Sequence, residues 1–236
     1  MSFACFNISD FSSHLQIHTN LFERLQLPLS IGIVGESASG KSTITEDFIS
    51  VLNNHGISTT RINTDDYYFD NSEAVKQAGS FANWAKDKDL DSPEAMELSL
   101  MKSHIHSLKQ GEIVYLPKYD MSGTAIRYDN YSLAKPSDII LSEGLFTMCV
   151  KEVFDVTIYI DIPKDVQKER WYKRAIERNL GDSMDIMYQR ADDRANEYIR
   201  PYKDYCDIVL SGEGPRPEYK RLMERILSRC LLTQSV

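Results

Sequence analysis

Residues Gly35, Glu36, Ser37, Ala38, Ser39, Gly40, Lys41 and Ser42 fit the pattern GxxxxGK[ST], and Thr43 follows them. Glycine near both ends lets main-chain N–H groups turn inward and lets a polyanion approach without meeting a Cβ. The apolar run "LSIGIV" leads in and an amphipathic stretch leads out. The amides therefore sit at a helix N-terminus, where partial positive charge favours phosphate. In that setting Lys41 reaches the outer phosphates of a nucleoside triphosphate and the Ser42 hydroxyl ligates Mg²⁺. The chemistry expected is binding of ATP with Mg²⁺ through Gly35, Ser37, Ala38, Ser39, Gly40, Lys41, Ser42 and Thr43.

Acids end two further apolar runs. "RINTDDYYFD" carries Asp65 and Asp66 at the carboxyl end of a strand beside the first, where ligands of open α/β sheets sit. A carboxylate there can take the proton of an attacking hydroxyl and help hold the metal. The residues alone do not choose between the two. "DIILSEGLF" puts Glu143 where a second Mg²⁺ contact is made. "KERWYKRAIER" spaces Arg170, Lys173, Arg174 and Arg178 by threes and fours, one side of a helix that can close over a transferring phosphoryl group. The base-reading NKxD of GTPases and the LSGGQ signature of ABC proteins are both missing from the sequence.

These residues need a frame. Apolar, β-branched runs at 29–35, 56–63, 113–117, 138–144, 155–162 and 206–212 read mostly as buried parallel strands. Helical patterns lie between them at about 41–54, 93–110, 164–180, 185–204 and 215–232. Such alternation predicts an α/β fold of three layers, a mostly parallel sheet with helices on both faces and a helical lid at about 164–182. Residues 29–236 read as one domain. Ahead of them, Phe11, Leu15, Leu21, Phe22 and Leu25 recur at helical spacing, so 1–28 is expected to be a helical extension packed on the domain. The stretch 66–92, rich in Asp, Asn, Ser and Lys, is long for a connection and is expected to serve function.

The 236 residues carry 27 Lys and Arg against 35 Asp and Glu, a net charge of −8, which argues against general nucleic-acid binding and requires a local positive site for any anion. Four scattered cysteines without a CxxC pair suggest neither zinc nor a disulfide framework, and a reduced cytoplasm suits them. No apolar stretch approaches membrane-spanning length. The expected partner is a small-molecule substrate, and a homo-oligomer is compatible with the sequence.

The segments "GESASGKST", "NTDDYY", "DLDSPEAME", "LPKYDMSGTAIR", "ILSEGLF" and "IRPYKDYCDIVL" occur in the order found in uridine kinases and their phosphoribulokinase and pantothenate kinase relatives. From about residue 29 to 213 the chain resembles that group. The resemblance implies ATP-dependent phosphoryl transfer to a small-molecule hydroxyl. It further implies Asp65 as the base, Asp91 binding ribose hydroxyls, Tyr119 lining the acceptor pocket, and Glu143 sharing Mg²⁺ with Ser42. Arg170 and Arg178 would be lid arginines on phosphates, with Arg174 beside them toward substrate.

The sequence also departs from that pattern. Leu90 and Ser92 stand where Phe and His are usual, Thr124 falls near a base-contacting His, and Leu180 replaces a further lid Arg. "RWYKR" resembles pantothenate kinases, whereas "SEG" suits the uridine kinase branch. A pyrimidine nucleoside is the leading acceptor, and pantothenate, a sugar phosphate, glycerate or nicotinamide riboside remain alternatives. So does a nucleotide-binding regulatory protein without transfer. Tyr115, Lys118, Met121 and Arg127 are acceptor candidates by position only, and Trp84 and Trp171 fit core or rim.

Overall fold

The computed structural model describes residues 15–17, 21, 25–85, 88–177 and 184–233. Its main sheet takes strands in the order β1 (Leu15–Ile17), β8 (Ile208–Ser211), β7 (Val156–Asp161), β2 (Leu29–Gly35), β6 (Ile139–Glu143) and β3 (Thr59–Asn63). All neighbours are parallel except β1, which runs against β8. Every residue of β2 and β6 is buried, as a strand covered on both faces requires, and this is why both read as mainly apolar runs without exposed polar positions.

One face packs on α1 (Lys41–Asn54) and α7 (Arg216–Thr233), with Phe48, Leu52, Leu222 and Ile226 against Ile31, Ile33 and Ile158. On the other face α4 (Leu98–Lys109) covers Ile62 and Ile140 with Met101 and Ile105. Beside it Phe146, Ile199 and Cys206 cover Val34 and Tyr159. The layered α/β fold expected from the sequence is therefore the one observed. Register then aims the chemistry: Glu143 on β6 is level with Ile33 of β2 and Asn63 of β3. The segments that leave β2, β3 and β6 emerge together at one edge.

Several expectations need correction. Within 11–26, Leu15–Ile17 is not helical but a strand pairing Leu15 with Leu210 and Ile17 with Ile208. The open edge of β8 supplies main-chain partners that outweigh a helical spacing too short to hold a helix alone. Leu21 and Leu25 are buried in the core, while 1–14, 18–20 and 22–24 lie outside the described residues.

The run at 113–117 leaves the main sheet. As β4 (Val114–Tyr119) it forms an antiparallel pair with β5 (Arg127–Ala134), its register shifting between Leu116 and Lys118 around Pro117, which has no N–H to give. The helix expected over 185–204 is α6 (Met184–Tyr198) followed by a 3₁₀ turn at Arg200–Tyr205, broken ahead of Pro201. Likewise 93–110 divides into a 3₁₀ turn at Pro93–Ala95 and α4. The stretch 66–92 holds part of a 3₁₀ turn at Thr64–Tyr67, then α2 (Ser72–Gln77) and α3 (Phe81–Ala85). Of the lid, α5 (Lys164–Glu177) is described and 178–183 are not, which leaves Arg178 and Leu180 outside the described residues.

Candidate active site

The loop after β2 is shaped by its glycines. Gly40 heads α1 at φ 101°, a left-handed conformation that a side chain disfavours. At Gly35 a Cβ would stand 2.8 Å from both the Ile160 carbonyl and Ser39 Oγ, so the loop could not settle against β7. Its outer limb is pinned from outside. Arg200 holds Glu36 through Nε at 2.9 Å and Nη2 at 2.7 Å, and Gln167 donates to the Ser37 carbonyl at 2.9 Å.

Lys41 lies at the centre. Its ammonium donates to the carbonyls of Gly35 (2.9 Å) and Glu36 (2.8 Å). Burial, only partly offset by Glu143 and Asp65, lowers its pKa from 10.5 to about 8, and Arg174 adds to the lowering. Glu143, Asp65, Glu36 and Arg174 thus surround one cation, although β6, the turn after β3, the loop and α5 supply them.

Ser42 Oγ donates to Glu143 Oε2 at 3.0 Å, and Arg61 pairs with the other carboxylate oxygen. Behind this pair Thr64 Oγ1 donates to the Glu143 carbonyl at 2.9 Å, stitching β6 to the turn that carries the aspartates. Gly144 makes the stitch possible, because a Cβ there would come within 2.4 Å of Thr64 Cβ.

The two aspartates have different surroundings. Asn63 caps the 3₁₀ turn by accepting from the Asp65 N–H at 3.2 Å. Asp65 acts electrostatically on Lys41, Tyr68 and Asp91, so it faces the cleft. Asp66 points to the hairpin, pairing with Lys118 at 3.0 Å and accepting from the Tyr119 N–H at 3.2 Å. Adjacent positions in the turn separate a cleft-facing acid from a structural one.

Farther out, Tyr68 stacks obliquely on Tyr119 with ring centres 5.2 Å apart, and its hydroxyl donates to the Leu90 carbonyl at 2.9 Å. That bond presents Asp91, whose pKa is raised to about 6 by burial and then by Asp89, against the pull of Arg190. A cavity of about 140 Å³ lined by Ser37, Asp91, Trp171, Arg174, Ala175, Met187 and Ala191 joins the loop to Asp91.

The structure therefore brings Lys41, Ser42, Asp65, Glu143 and Arg174 together, with Asp91 and Tyr119 beside them. Arg170 lies beside Gly40, donating to the Gly212 carbonyl at 3.2 Å. Lys118 is taken by Asp66, and Arg127 pairs with Glu97 (2.9 Å) and Asp129 (2.7 Å). Thr124 donates to Asp120 at 2.6 Å, while Tyr115 and Met121 are exposed. Trp84 packs on Phe81, and Trp171 is buried against Tyr172 and Tyr188. Sequence reasoning assigned no role to Glu36, Arg61, Tyr68 or Arg200. Tyr68, two residues after the aspartate pair, and Arg200, within "IRPYKDYCDIVL", lay in stretches that already carried a signal.

The donor set suits a metal triphosphate. The Lys41 ammonium rests on loop carbonyls whose place phosphate oxygens can take, and Ser42 with Glu143 offers hard oxygen ligands. Among the described residues no three acid, His or Cys side chains form a metal cage. Mg²⁺ bound through a few protein oxygens and the phosphates needs none.

A glycine loop between a central parallel strand and a helix, with acids at the neighbouring strand ends, defines a P-loop nucleotide-binding protein. The model of the phosphoribulokinase / uridine kinase family matches residues 30–215, and the chain belongs to that family. It is 29% identical over 201 residues to a uridine kinase of Halobacterium salinarum, covering 83% of this chain and 84% of that one. With a uridine kinase of Lactobacillus helveticus it shares 28% over 201 residues, covering 81% and 90%. Similar solved folds include phosphoribulokinase from Rhodobacter spheroides (TM-score 0.59, 15% identity, 78% and 69% covered). Another is D-glycerate 3-kinase from Cryptococcus neoformans (TM-score 0.52, 13% identity, 74% and 80% covered). The chain is an ATP-dependent kinase acting on a hydroxyl group.

Proposed function

We propose that this kinase phosphorylates the 5′-hydroxyl of a pyrimidine nucleoside, uridine or cytidine, with residues 29–236 acting as one domain. The observation that carries the reading is the group of Asp65, Glu143 and Arg174 about the Lys41 ammonium. The uridine kinase relatives supply the acceptor class.

In this reading the main-chain amides from Gly35 to Thr43 and Lys41 hold the triphosphate of ATP. Ser42 and Glu143, aided by Asp65, hold Mg²⁺, which neutralises charge on the phosphate oxygens. Asp65 accepts the proton of the attacking hydroxyl. Asp91 accepts hydrogen bonds from the ribose hydroxyls, and the Tyr68 and Tyr119 rings wall the pocket. Arg174 offsets charge that grows during transfer, with Arg170 supporting the loop and Arg178 expected to add to it. The lid excludes water. We place the enzyme in the cytoplasm, where the free thiols of Cys149, Cys206 and Cys230 suit a reducing medium. Among the described residues no helix is long and apolar enough to cross a membrane.

A second reading keeps the chemistry and changes the acceptor. It is favoured by Thr124, which stands near the base-contacting His of uridine kinases and commits its hydroxyl to Asp120. A panel of uridine, cytidine, nicotinamide riboside, pantothenate, glycerate and sugar phosphates, read by ADP release, decides between them. Preference for uridine or cytidine supports the first reading; turnover confined to another acceptor replaces it. ATP binding with no ADP release beyond background for any acceptor would remove the transfer chemistry.

A further inference from the structure

One helix touches both halves of the cleft. Along α6, Tyr188 and Asp192 are four residues apart and so share a face, as do Arg190 and Arg194; the two pairs are offset by about 200° around the axis. The first face reaches the nucleotide loop. Asp192 pairs with Arg200, whose guanidinium also holds Glu36, and Tyr188 donates to Gln167 at 3.1 Å, whose amide holds the Ser37 carbonyl. The second face reaches the acceptor segment. Arg190 donates to the Lys88 carbonyl at 3.0 Å, and Arg194 pairs with Asp89 at 2.5 Å, two residues before Asp91.

We propose that α6 is a crosslink that makes binding of the phosphoryl donor and of the acceptor interdependent, with Arg200 and Arg194 as positioning residues at its two ends. The proposal rests on the function assigned above, in which 35–42 binds ATP and Asp91 binds the acceptor.

Coupling between sites requires an element whose placement both sites bias. The link to the loop is stiff: the Glu36 and Asp192 side chains are only 12% and 9% exposed, and one planar guanidinium spans both. Trp171 on α5 packs against Tyr188 at 5.3 Å, so a shift of α6 is passed to the lid helix as well. Charge arriving in the loop acts on Glu36, and Arg200 passes the resulting shift to α6. From there Arg190 and Arg194 set the placement of Lys88 through Asp91.

Hydrogen exchange with Mg²⁺ and the non-hydrolysable analogue AMP-PNP tests this without an acceptor. In the wild type the nucleotide is expected to slow exchange about fivefold or more at 36–42 and also at 88–91. Arg194→Met should keep protection at 36–42 and lose it at 88–91. Asp89→Asn, which breaks the pair from the other side, should do the same, so a folding defect peculiar to one variant is recognisable. Glu197→Gln weakens the pair with Arg194 and the bond to Tyr198, both within α6, and should leave both protections in place. Protection at 88–91 that persists in both pair variants, or is missing from the wild type, overturns the crosslink. Failure of AMP-PNP to protect 36–42 in the wild type overturns the functional reading, and the crosslink with it.

Discussion

The loop 35–42 is formed by main-chain geometry at the middle of a parallel sheet, whereas Asp91 and Tyr119 stand on segments outside that sheet. The loop tolerates little: β7, Gly212, Arg200 and Gln167 fix it from several sides. The acceptor side is joined to the frame through side-chain bonds, among them Asp66 to Lys118, Arg127 to Glu97 and Tyr68 to Leu90. Donor chemistry is thereby held constant while acceptor contacts can be exchanged. Leu90, Ser92 and Thr124, where the chain departs from the uridine kinase pattern, all belong to the second region.

The sharpest way to break this contrast is Lys41→Met, for which we expect kcat/KM to fall by about 10³ or more because phosphate charge loses its counter-ion. The protein itself should become more stable. With its pKa near 8 when folded against 10.5 unfolded, Lys41 binds protons less readily in the native state, and its burial costs stability at neutral pH. Melts should show Lys41→Met about 1–2 kcal/mol more stable at pH 7, the gain shrinking as pH rises from 8 toward 10.5. A variant destabilised at pH 7 would contradict this account of the loop.

Next comes the aspartate pair. Asp65→Asn is expected to lower kcat by about 10² to 10⁴ with little change in ATP KM. Asp66→Asn should leave kcat within about threefold and act on acceptor KM, because its bonds hold the hairpin. Reversal of these effects would exchange their roles.

Asp91→Asn should raise acceptor KM about tenfold without altering ATP KM. Its folded pKa of about 6 exceeds the ordinary 3.8, so the native state binds the extra proton and stability declines as pH climbs between those values. The variant should therefore melt higher above pH 6, by about 1–2 kcal/mol, and match the wild type near pH 4. In the wild type, acceptor KM should rise as pH falls below 6.

The smallest effect is expected from Lys118→Met, whose exposed pair with Asp66 is weak: a rise of about threefold in acceptor KM with ATP KM unchanged. An equal change in both constants would mean that the two regions are less separate than their construction implies.

What could be read from the sequence divides along the same line. The loop from Gly35 to Ser42 announced itself because its glycines, strand and helix are one contiguous pattern, and Glu143 because it closes a buried run. β1 did not, since Leu15–Ile17 is a strand only through its partner β8, and its side chains also fit a helical spacing. β5 was hidden because six of its eight residues are exposed, which leaves no alternation to detect. Asp65 and Asp66 were indistinguishable because the hairpin that claims Asp66 is far away in the chain. Arg200 lies in a quoted motif, but its partner Glu36 precedes it by 164 residues.

Gly212 bears on how the protein is made. Its N–H bonds the Asp161 carbonyl at 2.6 Å, and a side chain there would strike the Ser39 carbonyl at 2.2 Å, so this turn forms the floor on which the loop rests. Translation delivers the loop and its walls before that floor, because Gly212 follows all of them in the chain. A nascent polypeptide halted short of it carries the phosphate signature without a finished receptor. ATP is thus expected to stabilise a chain that includes Gly212 more than one that stops short of it.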